Sequence, residues 1–123
     1  MPSKITVLIA DDHRLFAEAL EAILSSEPEI EVVGRARNGE EAVAKARDLK
    51  PDVILMDIAM PVVDGVEATK RIRQEHQGAC VLMLTGSNSR TDVARAREAG
   101  AAAYVTKDRI AAQLIEAIRE LAA

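Results

Sequence analysis

Five short apolar runs, each followed by a stretch of helical spacing, constrain this chain more than any single motif. The runs are Ile5–Ala10, Ile30–Val33, Val53–Met56, Ala79–Leu84 and Ala102–Val105, rich in β-branched residues and of strand length. The central runs VILM and VLML carry no polar alternate, so a strand made from either is apolar on both faces. Such strands belong to parallel sheets covered by helices on both sides, which right-handed crossovers supply. The reading is α/β: strand–helix repeated five times around one doubly wound sheet. With 123 residues the chain has room for one such core and no second domain.

The helices have legible ends. Asn38 with Glu41, and Asp64 with Glu67, read as N-terminal capping pairs, and Pro51 stops the helix bearing Ala42, Val43, Ala46 and Leu49. Gly78 and Gly100 are expected to take left-handed positions after the third and fourth helices. The last helix is expected from about Asp108, with Asp108 as its cap and Ile110, Leu114, Ile115, Ile118 and Leu121 as its apolar stripe. The fourth helix, between Asn88 and Gly100, has Val93 as its only large aliphatic residue. It is therefore expected to be the least stable helix.

Composition narrows the function. Phe16 and Tyr104 are the only aromatic residues, which argues against flavin binding and base-stacking surfaces and makes the core aliphatic. A net charge of −4 argues against direct DNA contact by this chain. One cysteine, Cys80, cannot form an internal disulfide and fits a reducing, cytoplasmic setting as a small buried apolar group. No apolar stretch is of membrane-spanning length, so no membrane contact is expected.

In open parallel sheets functional groups gather beyond the carboxyl ends of the strands. Asp11 and Asp12 follow the first strand, Asp57 the third, Thr85 ends the fourth and Lys107 follows the fifth. Singly, Asp12 reads as a helix cap, Thr85 as a turn residue with Ser87 and Asn88 behind it, and Lys107 as a solvated lysine. Asp57 resists that treatment, because it ends a buried apolar strand where a lone carboxylate is costly. Together, three carboxylates at one edge call for a divalent cation. Oxygen ligands point to Mg²⁺ with room left for phosphate oxygens. Lysine and threonine would complete a phosphoryl-transfer site with Asp57 as nucleophile.

The segments IADDH at Ile9–His13, ILMDIAMPVVDG at Ile54–Gly65, VLMLTG at Val81–Gly86 and AYVTKD at Ala103–Asp108 resemble the receiver domain of bacterial response regulators. The DDH opening followed by LF, the NGEEAV segment and the Lys-Asp pair most resemble the NarL/FixJ (LuxR-type) subclass. The resemblance implies a flavodoxin-like sheet in the order 2-1-3-4-5. It implies that Asp57 accepts a phosphoryl group from a sensor histidine kinase. Mg²⁺ would sit on Asp57, Asp12, Asp11 largely through water, and the backbone carbonyl of Ala59. Lys107 and Thr85 would bind the phosphoryl oxygens, while Tyr104 moves from an exposed to a buried rotamer. Helix one near Leu15 and Phe16 would dock the kinase, although both residues also read as core.

Residues 1–123 would then be one receiver, its helix-turn-helix effector domain absent from this chain, with DNA reached only through that domain. Homodimerisation on phosphorylation would be the output, and the domain would be regulatory rather than an enzyme, promoting its own phosphorylation and dephosphorylation. Departures from the common pattern are Asp108 in place of a proline after the lysine and Ala103 in place of a glycine. Ala59 and Ser87 stand where the family tunes phosphoryl lifetime. His13 and His76 lack a second ligand at chelating spacing and read as helix-end residues; Arg90, Arg95 and Arg97 read as a solvated face. Two alternatives stay open: a phosphorylation-independent interaction module, and an aspartate-nucleophile phosphatase of the haloacid dehalogenase kind. Against the latter, Asp57 is followed by Ile58 and Ala59, without a second acid.

Overall fold

The computed structural model describes residues 4–76, 78–86 and 90–123. Its elements run β1 (Ile5–Ala10), α1 (Arg14–Ser25), β2 (Ile30–Ala36), α2 (Gly39–Leu49), β3 (Val53–Asp57), α3 (Gly65–Glu75), β4 (Cys80–Thr85), α4 (Arg90–Ala99), β5 (Ala103–Thr106) and α5 (Ile110–Ala122), with a 3-10 turn over Lys107–Arg109. All strand pairs are parallel, in the order β2-β1-β3-β4-β5. The five-stranded sheet and its order are those expected.

Period-two alternation divides the core into two layers. Leu8, Ile54, Met56, Val81 and Met83 face Ala42, Val43 and Ala46 of α2, Val66 and Ile72 of α3, and Ala96 and Ala99 of α4. Val7, Ile9, Val53, Leu55, Leu82 and Leu84 face Leu20 and Leu24 of α1 and Ile110, Leu114 and Ile118 of α5. Most of these side chains are fully buried, each contributing about 1.5–3 kcal/mol of apolar transfer energy. Asp57 continues the series Val53, Leu55, so the strand's own period sends it toward the α1/α5 side.

Both capping pairs form: Asn38 Oδ1 accepts from Glu41 N and Asp64 Oδ1 from Glu67 N, each at 2.8 Å. The return arm of the first reaches one residue further back, with Arg37 N donating to Glu41 Oε1 at 3.0 Å. Other expected ends are corrected. Gly100 is left-handed (φ 99°), but Gly78 is not, and α3 ends at an extended His76. The left-handed residue after α2 is Lys50 (φ 47°). Asp108 lies inside the 3-10 turn and caps nothing, because that turn lets β5 run into α5 without a side-chain cap. Cys80 opens β4 only half-buried, its Sγ 3.8 Å from the Leu121 carbonyl.

Helix α4 buries only Ala96 and Ala99, whereas α5 buries Ile110, Leu114 and Ile118. Amide hydrogen exchange is expected to be faster in α4 than in α5, and slower exchange in α4 would show its alanines to be the tighter anchor. One further position carries strain. Val62, 76% exposed, has φ 68°, a region β-branched residues avoid. Asn tolerates that conformation and no packing is lost, so Val62→Asn is expected to stabilise the fold by about 1 kcal/mol in urea unfolding. A loss of stability would show that Val62 is relaxed where it stands.

Candidate functional site

The carboxyl ends of β1, β3, β4 and β5 bring the expected residues to one edge. Asp11 and Asp57 are each 3% exposed and Thr85 is fully buried, while Asp12 is open to solvent. Asp11 is fixed by its own turn: Oδ1 accepts from His13 N at 2.8 Å. That bond, together with His13 rather than Asp12 at the N-cap of α1, removes the capping reading of Asp12. Asp57 Oδ1 accepts a long hydrogen bond from Ala59 N at 3.4 Å. The remaining oxygens, Asp11 Oδ2 and Asp57 Oδ2, are buried without a hydrogen-bond partner among the described residues.

Lys107 enters from the 3-10 turn after β5. Its Nζ lies 3.6 Å from Asp11 Oδ2 and 3.5 Å from Asp57 Oδ2, so it sits as a cation facing both orphaned oxygens. Burial pushes the Asp57 carboxyl up to about 6, and the neighbouring Asp11 charge adds to it; Lys107 and the Ala59 N–H act in the opposite direction. One positive group among three acids leaves the pocket short of cations.

His13 belongs to this pocket, contrary to its reading as an isolated helix-end residue. Its Nδ1 is 3.3 Å from Asp11 Oδ1, 3.4 Å from Asp12 Oδ1 and 3.9 Å from Asp57 Oδ2. Ligand atoms of Asp11, Asp12, His13 and Asp57 all lie within 4.8 Å of one another, a spacing that suits donors surrounding one ion. Only the reversal of chain direction after β1 aims the imidazole back at Asp57, 44 positions on. His76 is also less solvated than expected, with Nε2 buried and without a hydrogen-bond partner among the described residues.

Two further features flank the pocket. Thr85 pairs in register with Thr106, whose buried Oγ1 has no partner among the described residues. Tyr104 is 40% exposed and lines a surface cavity of about 440 Å³ with Val93, Ala96, Arg97 and Ala101 to Ala103. Leu15 is 80% exposed and so is not core, whereas Phe16 is half-buried against the α1/α5 layer. Arg95 reaches Asp64 at 3.4 Å; Arg90 and Arg97 are exposed. Ser87 and Asn88 lie outside the described residues.

A doubly wound parallel sheet with buried acids, a lysine and a threonine at its carboxyl edge defines a class of phosphate-handling α/β domains. Within that class the chain belongs to the response regulator receiver domain family, whose model matches residues 7–119. It is 43% identical over 116 residues to the response regulator protein VraR of Staphylococcus aureus, covering 94% of this chain and 56% of VraR. The chain thus spans about half the length of that relative. It superposes on the signal receiver domain of the putative response regulator NarL from Mycobacterium tuberculosis with a TM-score of 0.93 and 31% identity, covering 98% of each chain. A CheX–CheY–BeF3–Mg²⁺ complex from Borrelia burgdorferi is matched at TM-score 0.89 and 26% identity, over 97% of this chain and 90% of that one. These relatives bear out the NarL/LuxR-type resemblance and leave the phosphatase alternative without support. Receiver domains are regulatory and generally take Mg²⁺ at an acidic pocket. No helix among the described residues is long and apolar enough to cross a membrane.

Proposed function

We propose that this chain is a phosphorylation-controlled switch in which Asp57 takes a phosphoryl group from the phosphohistidine of a sensor histidine kinase. The observation that carries the reading is the Asp57 carboxylate itself: buried, with Oδ2 facing Lys107 Nζ at 3.5 Å and without a hydrogen bond among the described residues. In the transfer the histidine N–P bond breaks and an Asp57 O–P bond forms, so Asp57 must be ionised. With a value near 6 it is mostly so at neutral pH even without a metal.

Asp11, Asp12, Asp57 and the carbonyl of Ala59 would hold Mg²⁺, and the two orphaned carboxylate oxygens fit that demand for a cation. When bound, the ion offsets the charge that three carboxylates and a phosphoryl group bring together. Lys107 supplies the fixed positive charge for one phosphoryl oxygen and Thr85 a hydroxyl donor for another. Thr85 would shift toward the phosphoryl group, and Tyr104 then has the adjacent cavity to fill. The relative solved with BeF3 and Mg²⁺ supports this ligand pair for the fold. In this reading the chain works within a cytoplasmic regulator that reaches DNA through a helix-turn-helix domain and forms a homodimer on phosphorylation; the match to 56% of VraR leaves room for such a domain in that relative.

The test is intact mass after incubation with Mg²⁺ and acetyl phosphate. One added phosphoryl group, lost without metal and in Asp57→Ala, is the expected result. No addition, together with no response to beryllofluoride, would leave an interaction module without the chemistry.

A further inference from the structure

We propose that Phe16 is a positioning residue for Lys107: its ring holds the lysine ammonium over the carboxylate pocket. This rests on the reading of Lys107 as the phosphoryl-binding cation. Lys107 Nζ lies 4.4 Å from the centroid of the Phe16 ring, within the range in which a cation is drawn to an aromatic face. The same ammonium faces Asp11 Oδ2 at 3.6 Å and Asp57 Oδ2 at 3.5 Å. The ring therefore contacts the cation while both carboxylates hold it from across the pocket.

A lysine needs such a guide. Its four-carbon stem has many rotamers, and this side chain is 25% exposed, so solvent competes for the ammonium. Both carboxylate separations exceed ordinary hydrogen-bond length, so the acids attract Nζ without fixing its direction. Phe16 is itself fixed, being half-buried on α1 against the layer containing Leu20, Val105 and Ile110. Leucine would fill the same apolar place but present no π face. The single phenylalanine of the chain is the residue whose ring lies under the Lys107 ammonium.

Phe16→Leu and Phe16→Tyr separate positioning from packing. With saturating Mg²⁺, Phe16→Leu is expected to weaken beryllofluoride binding by about 3- to 10-fold, the range of a partly exposed cation–π contact. Mg²⁺ affinity should not weaken, because the lysine competes with the metal for Asp11 and Asp57 rather than binding it, and Phe16→Tyr should keep wild-type anion binding. In a Lys107→Ala background the leucine substitution should have no further effect on the anion. NMR of the ligand-free protein adds a direct signature: ring-current upfield shifts of the Lys107 ε-methylene protons, present in wild type and Phe16→Tyr and absent in Phe16→Leu. Unshifted protons in wild type, or equal weakening of metal and anion in Phe16→Leu, would overturn the inference. A wild-type protein that binds neither Mg²⁺ nor beryllofluoride would defeat the phosphoacceptor reading instead, while the proton shifts still decide the contact.

Discussion

Asp57→Asn is expected to abolish phosphoryl uptake and, in metal-free buffer, to make the protein more stable. The first effect follows from replacing the proposed nucleophile with an amide, and intact mass with acetyl phosphate and Mg²⁺ should show no added phosphoryl group. The second follows from burial and the Asp11 charge, which raise the Asp57 carboxyl from 3.8 to about 6. Below about pH 3.8 both folded and unfolded chains hold this proton and the site exerts no penalty. As pH rises, the unfolded chain ionises first, so the wild-type fold loses stability until about pH 6 and stays lowered above it. The full gap corresponds to ~3 kcal/mol. That gap already sets the attraction of Lys107 against burial and the Asp11 charge; Asn escapes it but leaves a buried amide to be satisfied, giving an expected net gain of about 1–3 kcal/mol at pH 7. Urea unfolding at pH 4 and pH 7 checks the sign: the variant's advantage should grow with pH. Adding Mg²⁺ should raise wild-type stability more than that of the variant, since binding to the folded state alone stabilises it. An advantage that shrinks from pH 4 to pH 7 would show that Lys107 dominates Asp57, not burial.

How far the sequence discloses such a site depends on whether the information is local. Asp11, Asp12, Asp57, Thr85 and Lys107 were legible because each lies within two residues of the end of an apolar run, and parallel topology brings those ends together. Asn38 and Asp64 were legible because a cap bonds to a residue three positions on. Gly78 misled because α3 ends in an extended residue and the left-handed turn falls on Gly100 and Lys50. Asp108 misled because a 3-10 turn separates it from α5. The inward aim of His13 and the seat of Lys107 on Phe16 join residues brought together only by the folded chain. Periodicity placed Phe16 on α1 but carried no signal of what would lie over its ring.

Gly65 is the other residue whose importance only the fold exposes, and Gly65→Ala is expected to be among the most damaging single-methyl changes in the chain. A Cβ at Gly65 would lie 2.1 Å from the Asp57 carbonyl oxygen and 2.9 Å from the Asp57 carbonyl carbon and from Ile58 Cα. All three are backbone atoms, so no side chain can swing aside. Gly65 N also donates to Ile58 O at 3.0 Å, tying the first turn of α3 to the end of β3. The methyl must therefore push α3 from the sheet or displace the strand end that carries Asp57. Stability should fall by about 3 kcal/mol in urea unfolding, the upper part of the usual range for overpacking. At a temperature where the variant remains folded, phosphorylation by acetyl phosphate should slow by about tenfold or more, because small misplacements of a nucleophile are heavily penalised. Gly78→Ala is the matched control. Beyond the chain neighbours of Gly78, no atom among the described residues lies within 4 Å of the added Cβ and its φ is not positive, so the change should be neutral or stabilising by about 0.5 kcal/mol. If Gly65→Ala matched Gly78→Ala in both stability and phosphorylation rate, the close approach of α3 to Asp57 would not be what fixes the acid in place.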